Sequence, residues 1–171
     1  VADLLKAGDT VILVTPIDSA APKGRLILPQ QQTLRELLEA GVVSMVVRES
    51  ELKEALDSLK TPPALVVTDS QAFQIVSQTV PREIPLTSFS ILFARYKGDL
   101  DTVVQGASKL SELKDGDKIL ISEGCTHHRQ CKDIGTVKLP GWIKAFSGKE
   151  LDFTFTSGSE FPDDLRDFAL V

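Results

Sequence analysis

The sequence predicts an α/β chain made of two small units, each with a mostly parallel sheet flanked by helices in a Rossmann-like arrangement. Three observations lead there. Short β-branched runs are apolar throughout rather than alternating, as strands buried on both faces are. Between those runs, apolar residues recur at helical spacing. A Gly-Asp turn feeding an apolar run occurs twice, as Gly8-Asp9-Thr10-Val11-Ile12-Leu13-Val14 and as Gly116-Asp117-Lys118-Ile119-Leu120-Ile121-Ser122. Two such echoes are too few for a repeat protein and suit two α/β units that open alike.

Taken in order, Val11-Ile12-Leu13-Val14-Thr15 is the first expected strand. Leu34, Leu37 and Leu38 then form one helical stripe, and a second strand spans 42–47. Ser50 stands as an N-cap before a helix with Leu52, Ala55, Leu56 and Leu59 at i, i+3, i+4 and i+7. A third strand covers 64–68, Ser70 stands as the next N-cap, and Phe73 with Val76 makes a shorter helical stripe. Pro81 and Pro85 precede a fourth expected strand over 90–93. Lys97-Gly98-Asp99 then marks a boundary, giving domains of 1–97 and 98–171. Asp99 is placed to cap the strongest helix of the chain, with Leu100, Val103, Val104, Ala107, Leu110 and Leu113 on one side.

In the second unit the strand ending near Ser122 is followed by a loop. Pro140 then suits the first turn of a helix carrying Trp142, Ile143 and Phe146, because a missing N–H costs nothing there. Leu151, Phe153 and Phe155 alternate with polar residues as a half-exposed strand does. Residues 167–171, Asp-Phe-Ala-Leu-Val, read as a last buried strand. The chain opens on Val1, its single methionine is Met45, and its last strand lacks a sequel, so the 171 residues are expected to be the middle of a longer chain.

Composition excludes several function classes. The net charge of −5 arises from 24 Asp and Glu against 19 Lys and Arg, with the signs mixed along the chain. Nucleic-acid binding needs a concentrated basic face to neutralise phosphates, and none is present. No apolar run approaches the roughly 18–20 residues that cross a bilayer, and no leader pattern opens the sequence. A cytoplasmic location without membrane contact is the expectation. There is no G-x-x-x-x-G-K-[ST] and no G-x-G-x-x-G, so the chain is not expected to hydrolyse a nucleotide. Ala21-Pro22-Lys23-Gly24-Arg25 is basic, but it lacks the glycine spacing of a phosphate cradle.

The chemistry concentrates in one window. Both cysteines and both histidines of the chain lie in Cys125-Thr126-His127-His128-Arg129-Gln130-Cys131, directly after a strand and a glycine. Loops at the carboxyl ends of strands are where open α/β sheets place their sites. Thiolate suits zinc and iron–sulfur centres and imidazole suits zinc and iron, so ligand type leaves both metals open. A structural zinc site at Cys125 and His127 in a small-molecule-binding or regulatory module is one reading, but zinc usually takes two ligand pairs from separate knuckles and only one cluster exists. A Cys125 nucleophile paired with His127 is another, and it lacks an orienting partner. His128 and Cys131 carry less weight, since neighbours along a loop point in different directions.

Leu13-Val14-Thr15-Pro16-Ile17-Asp18-Ser19-Ala20-Ala21-Pro22-Lys23-Gly24-Arg25-Leu26-Ile27-Leu28-Pro29-Gln30, Glu123-Gly124-Cys125-Thr126-His127-His128 and Asp133-Ile134-Gly135-Thr136 resemble the FeFe-hydrogenase maturation GTPases of the HydF family. The resemblance runs over essentially the whole chain. It implies a dimerisation domain over 1–97 and a C-terminally truncated iron–sulfur cluster-binding domain over 98–171, with the GTP-binding domain absent and GTP engaged only through it. It further implies that Cys125, as the first half of the family's C-x-H and H-C-x-x-C motif, ligates a 4Fe-4S cluster. His127 is then a candidate for the remaining iron position, and the other ligands lie beyond Val171. The chain itself is expected to be apo and not an enzyme. The implied role is a scaffold that carries a diiron precursor to apo FeFe-hydrogenase, with radical-SAM maturases and a second copy of itself as partners. No ligand role passes to His128 or Cys131, which stand outside the motif.

Overall fold

A computed structural model describes residues 1–17, 26–124, 134–158 and 160–171. The basic segment 21–25 and the window 125–131 lie outside the described residues. The chain folds as two compact units, Val1–Leu100 and Asp101–Val171.

The first unit is a four-stranded, all-parallel sheet of β1 (Thr10–Val14), β2 (Val43–Val47), β3 (Leu65–Thr68) and β4 (Leu86–Ser88), in the order β2-β1-β3-β4. The helices α1 (Leu28–Glu39), α2 (Leu52–Ser58), α3 (Phe73–Thr79) and α4 (Phe89–Lys97) connect or follow these strands. Alternation along β1 shows how both faces are used. Ile12 and Val14 join Leu52, Ala55, Val66 and Val76 on the α2 and α3 side. Val11 and Leu13 join Leu37, Leu65, Val67 and Phe89 on the α1 and α4 side. Val11 to Val14 are all fully buried or nearly so, and burial of a Val, Leu or Ile side chain stabilises by about 1.5–3 kcal/mol each. The apolar runs in the sequence therefore mean a sheet covered on both faces, the doubly wound arrangement expected.

Several local expectations are corrected. Residues 90–93 are the middle of α4, and the strand is the shorter β4 before it. The Ser88 hydroxyl accepts the Ile91 N–H at 3.2 Å, which ends the strand and caps the helix, so Phe89 and Leu92 face the sheet at i, i+3 while Ile91 is exposed. A short apolar run does not reveal its own period. Ser50 and Ser70 are not caps. Before α2 the Glu51 carboxylate reaches back to the Arg48 N–H at 3.2 Å. Before α3, Asp69 accepts from the Gln71 N–H, and Ser70 instead shares a hydrogen bond with Ser90 at 2.8 Å. The inward face of α1 is Gln30, Thr33, Leu34 and Leu37, so of the expected stripe only Leu38 is exposed. The Gln30 carboxamide accepts the Ile27 N–H at 3.2 Å, which is how a polar residue can be buried at a helix start.

The second unit is smaller. β5 (Lys118–Glu123) and β6 (Asp152–Ser157) pair in parallel, joined through a single π-helical turn (Ile134–Lys138) and α6 (Leu139–Ser147). Pro140 occupies the first turn of α6 as expected. One apolar cluster holds the unit: Leu113, Ile119, Ile121 and Leu151, with Leu110, Leu139, Ile143, Phe153 and Leu170 against it. The expected long amphipathic helix is divided. α5 (Leu100–Ser108) buries none of its residues, and Leu110 and Leu113 follow it in a 3-10 turn and its exit. Residues 167–171 form one bridge, Leu170 to Ile119, rather than a buried strand. The backbone joins β5 through the Ala169 N–H to the Lys118 carbonyl at 2.9 Å and the Leu120 N–H to the Leu170 carbonyl at 3.0 Å, while Asp167, Ala169 and Val171 are exposed.

The two Gly-Asp turns are the same structure. Gly8 has φ +88° and Gly116 φ +86°, the left-handed region that glycine enters without a Cβ penalty. Asp9 accepts the Lys6 N–H at 2.8 Å and Asp117 accepts the Lys114 N–H at 2.8 Å. The Asp9 carbonyl accepts from Val43 at 2.9 Å and the Asp117 carbonyl from Asp152 at 3.0 Å, so each turn also receives the next parallel strand. The echo extends to Leu5-Lys6 and Leu113-Lys114.

Candidate site at the carboxyl end of β5

β5 ends at Glu123, and Gly124 leads into the window. The strand ends are tied together: Ser122 and Glu123 are in register with Thr156 and Ser157, and Gly158 donates its N–H to the Glu123 carbonyl at 2.8 Å. The chain returns at Ile134 into the π-helical turn, a feature that often marks functional sites.

The two feet of this loop touch. Gly135 is buried, and a Cβ built on it would lie 2.2 Å from Glu123 Oε1 and 2.8 Å from Glu123 Cδ. Only a glycine leaves room for the carboxylate in that position, so Glu123 and Gly135, on either side of residues 125–133 in the chain, stand in contact. Beside them, Thr156 Oγ1 is buried without a hydrogen-bond partner among the described residues. A buried hydroxyl normally finds one; Ser44 Oγ, Glu49 Oε2 and Thr68 Oγ1 in the first unit are likewise without one among the described residues.

Cys125 and His127, with His128 and Cys131, lie between these feet in the chain and outside the described residues. Among the described residues no group of three or more His, Cys, Asp or Glu side chains stands close enough to hold a metal ion. The donor chemistry can still be weighed. A 4Fe-4S cluster is ordinarily held by four thiolates, and the chain has two cysteines. Its own residues do not complete that set.

The Glu123 and Gly135 contact escapes pattern reading, because it joins a strand end to a π-helical turn across an intervening loop. The glycine in Asp133-Ile134-Gly135-Thr136 is the trace it leaves in the sequence. The first unit has a cavity of about 790 Å³ beside α1 and α4, lined by Gln31, Arg35, Glu36, Glu39 and Tyr96 among others. It holds none of the expected site residues. There Asp3 receives two hydrogen bonds from Arg95, at 3.0 and 2.5 Å, and the guanidinium holds its carboxyl well below the usual carboxylate range. No helix among the described residues is long and apolar enough to cross a membrane.

Comparison with known families covers nearly the whole chain. Residues 1–98 match the family described as the hydrogen maturase F dimerization domain, and residues 101–171 match the one described as the hydrogen maturase F tetramerization domain. No curated protein matches the chain.

Proposed function

The chain belongs to the hydrogen maturase F family, and on that premise we propose that it is the oligomeric scaffold of FeFe-hydrogenase maturation, presenting the Cys125 and His127 loop for a cluster and its diiron precursor. A part in hydrogenase maturation and self-association follows from the family itself. The finer role is supported by one observation above the rest: Cys125-Thr126-His127 follows a parallel strand in the chain, and the residues flanking the segment, Glu123 and Gly135, are in contact. In this reading Cys125 supplies one thiolate of a 4Fe-4S site and His127 an exchangeable position. Apo-hydrogenase and the radical-SAM maturases are the partners. Nothing in the reading requires catalysis by these residues.

The dimer contact is assigned in the same reading to β2. It is an edge strand, its Val-Ser-Met-Val-Val carries no charge, and Val43 and Val46 are exposed. Uncharged, exposed edges invite pairing with another chain. β4, the opposite edge, offers only three residues.

An apo-hydrogenase activation assay tests the scaffold role. Cys125→Ser in the natural gene context is expected to abolish activation while leaving the oligomer intact. Full activation by that variant overturns the role. His127→Ala is expected to retain iron and change the cluster's electron paramagnetic resonance spectrum.

A further inference from the structure

α6 buries one face and leaves the other bare. Leu139 and Ile143, one turn apart, pack on the apolar cluster of the second unit. Gly141, Trp142, Ala145 and Phe146 are all exposed, Trp142 by 51% and Phe146 by 69%. Trp142 with Phe146, and Gly141 with Ala145, are i, i+4 pairs, so two rings stand beside two small residues along one helical face. None of the four carries charge. Lys144, within the same stretch, turns to Glu150 at 3.0 Å. A Cβ on Gly141 would meet nothing within 4 Å among the described residues, so none of them blocks an approaching backbone over this part of the helix.

We propose that this face is where the second unit meets a second copy of itself, two α6 helices packing about a two-fold axis with the rings of one on the Gly141 and Ala145 shelf of the other. The inference rests on the self-association reading above and gives it a location.

Three arguments select a second copy as the occupant. Residues 101–171 match a family described by its tetramerization. A two-fold contact needs a surface that complements itself, and a bulky pair beside a small pair at equal spacing does so. A chain of net charge −5 meets itself best across an uncharged patch, because like charges placed opposite one another repel.

Area decides the strength. Aromatic side chains bury about 150–250 Å² each, so the exposed parts of these two rings leave on the order of 250 Å², or about 500 Å² across two copies. That is below the roughly 1,000 Å² of a stable independent interface. In a tetramer built from dimers the contact occurs twice, and the second closure is intramolecular, which multiplies a weak contact into a firm one. The α6 contact is therefore expected to need the dimer.

Trp142 is the only tryptophan, so its fluorescence reports this face directly. The test is sedimentation velocity of the full chain across concentration, with tryptophan emission and acrylamide quenching on the same samples. The wild type is expected to pass from dimer to tetramer as concentration rises, its emission moving to the blue and its quenching falling several-fold over the same range. Trp142→Ser with Phe146→Ser is expected to stop at the dimer. A tetramer unchanged in the double variant overturns the inference alone. Wild-type emission and quenching that stay constant through the dimer-to-tetramer step overturn it as well, and do not depend on how the variant folds. A wild type that is monomeric at every concentration removes the self-association reading and the inference with it.

Discussion

The two units begin with one device and end with different amounts of core. Leu-Lys-x-Gly-Asp opens both, with the same left-handed glycine and the same aspartate hydrogen bond. The first unit then adds three parallel strands to β1 and packs helices on both faces, giving two apolar clusters. The second adds one strand to β5, with a single bridge on the other edge, and gathers one cluster. Both units keep apolar side chains outside: Leu38, Ile75 and Tyr96 in the first and Val103, Val104, Trp142 and Phe146 in the second are more than half exposed. A start motif sets how a strand is entered. How many apolar clusters form behind it depends on how many strands follow.

The largest effect that can break this comparison is a core truncation in each unit. Ile12 and Ile119 are both almost fully buried on their sheets, and Ile→Ala at such sites costs about 2–5 kcal/mol. Native-state hydrogen exchange should show Ile119→Ala releasing the amides of β5 and β6 while those of β1 and β3 stay protected. Ile12→Ala should expose the first sheet. Simultaneous loss of both sets in either variant would mean that the units are one cooperative body.

Next come the turns. Neither Gly8 nor Gly116 has an atom within 4 Å of an added Cβ, so Gly→Ala costs backbone strain alone, about 1–2 kcal/mol. Urea midpoints should fall by similar free energies at the two sites. A large inequality would show that the shared geometry hides different environments.

Gly135→Ala should cost less, about 1 kcal/mol, because the atom in the way is the end of a flexible carboxylate that can swing aside. A double-mutant cycle with Glu123→Ala tests the contact, since removing the carboxylate should make the alanine tolerable. Additive effects would show that the two residues do not interact.

The smallest effect belongs to an exposed ion pair in the first unit. Arg95 lowers the carboxyl of Asp3, so its contribution is full above the unfolded pKa of about 4 and fades as pH falls toward the lowered folded value. The stability difference between wild type and Arg95→Gln should be small at pH 6 and shrink further at pH 3. A difference that grows on acidification would contradict the assignment.

Legibility in the sequence followed the range of the interaction. The strands of the first sheet could be read because a strand buried on both faces must be apolar throughout, as in Val11, Ile12, Leu13 and Val14. The span 90–93 could not, since Ser-Ile-Leu-Phe is too short to show a period and the deciding hydrogen bond comes from Ser88. Ser50 and Ser70 failed as caps because carboxylates, Glu51 and Asp69, took the free N–H groups nearby. For the candidate site, the clustering of Cys125, His127, His128 and Cys131 is a linear fact, as is their place after a glycine.

By itself the sequence determined the α/β class, the paired Gly-Asp starts and the concentration of every cysteine and histidine in one seven-residue window, because each is written in neighbouring residues. Tertiary structure decided which apolar stripes are core and which are surface. Leu110 and Trp142 are both apolar residues on helical patterns, yet only Leu110 finds the cluster around Ile119. Periodicity states that a face is hydrophobic, and only the packing of the other elements states whether that face is buried within its unit.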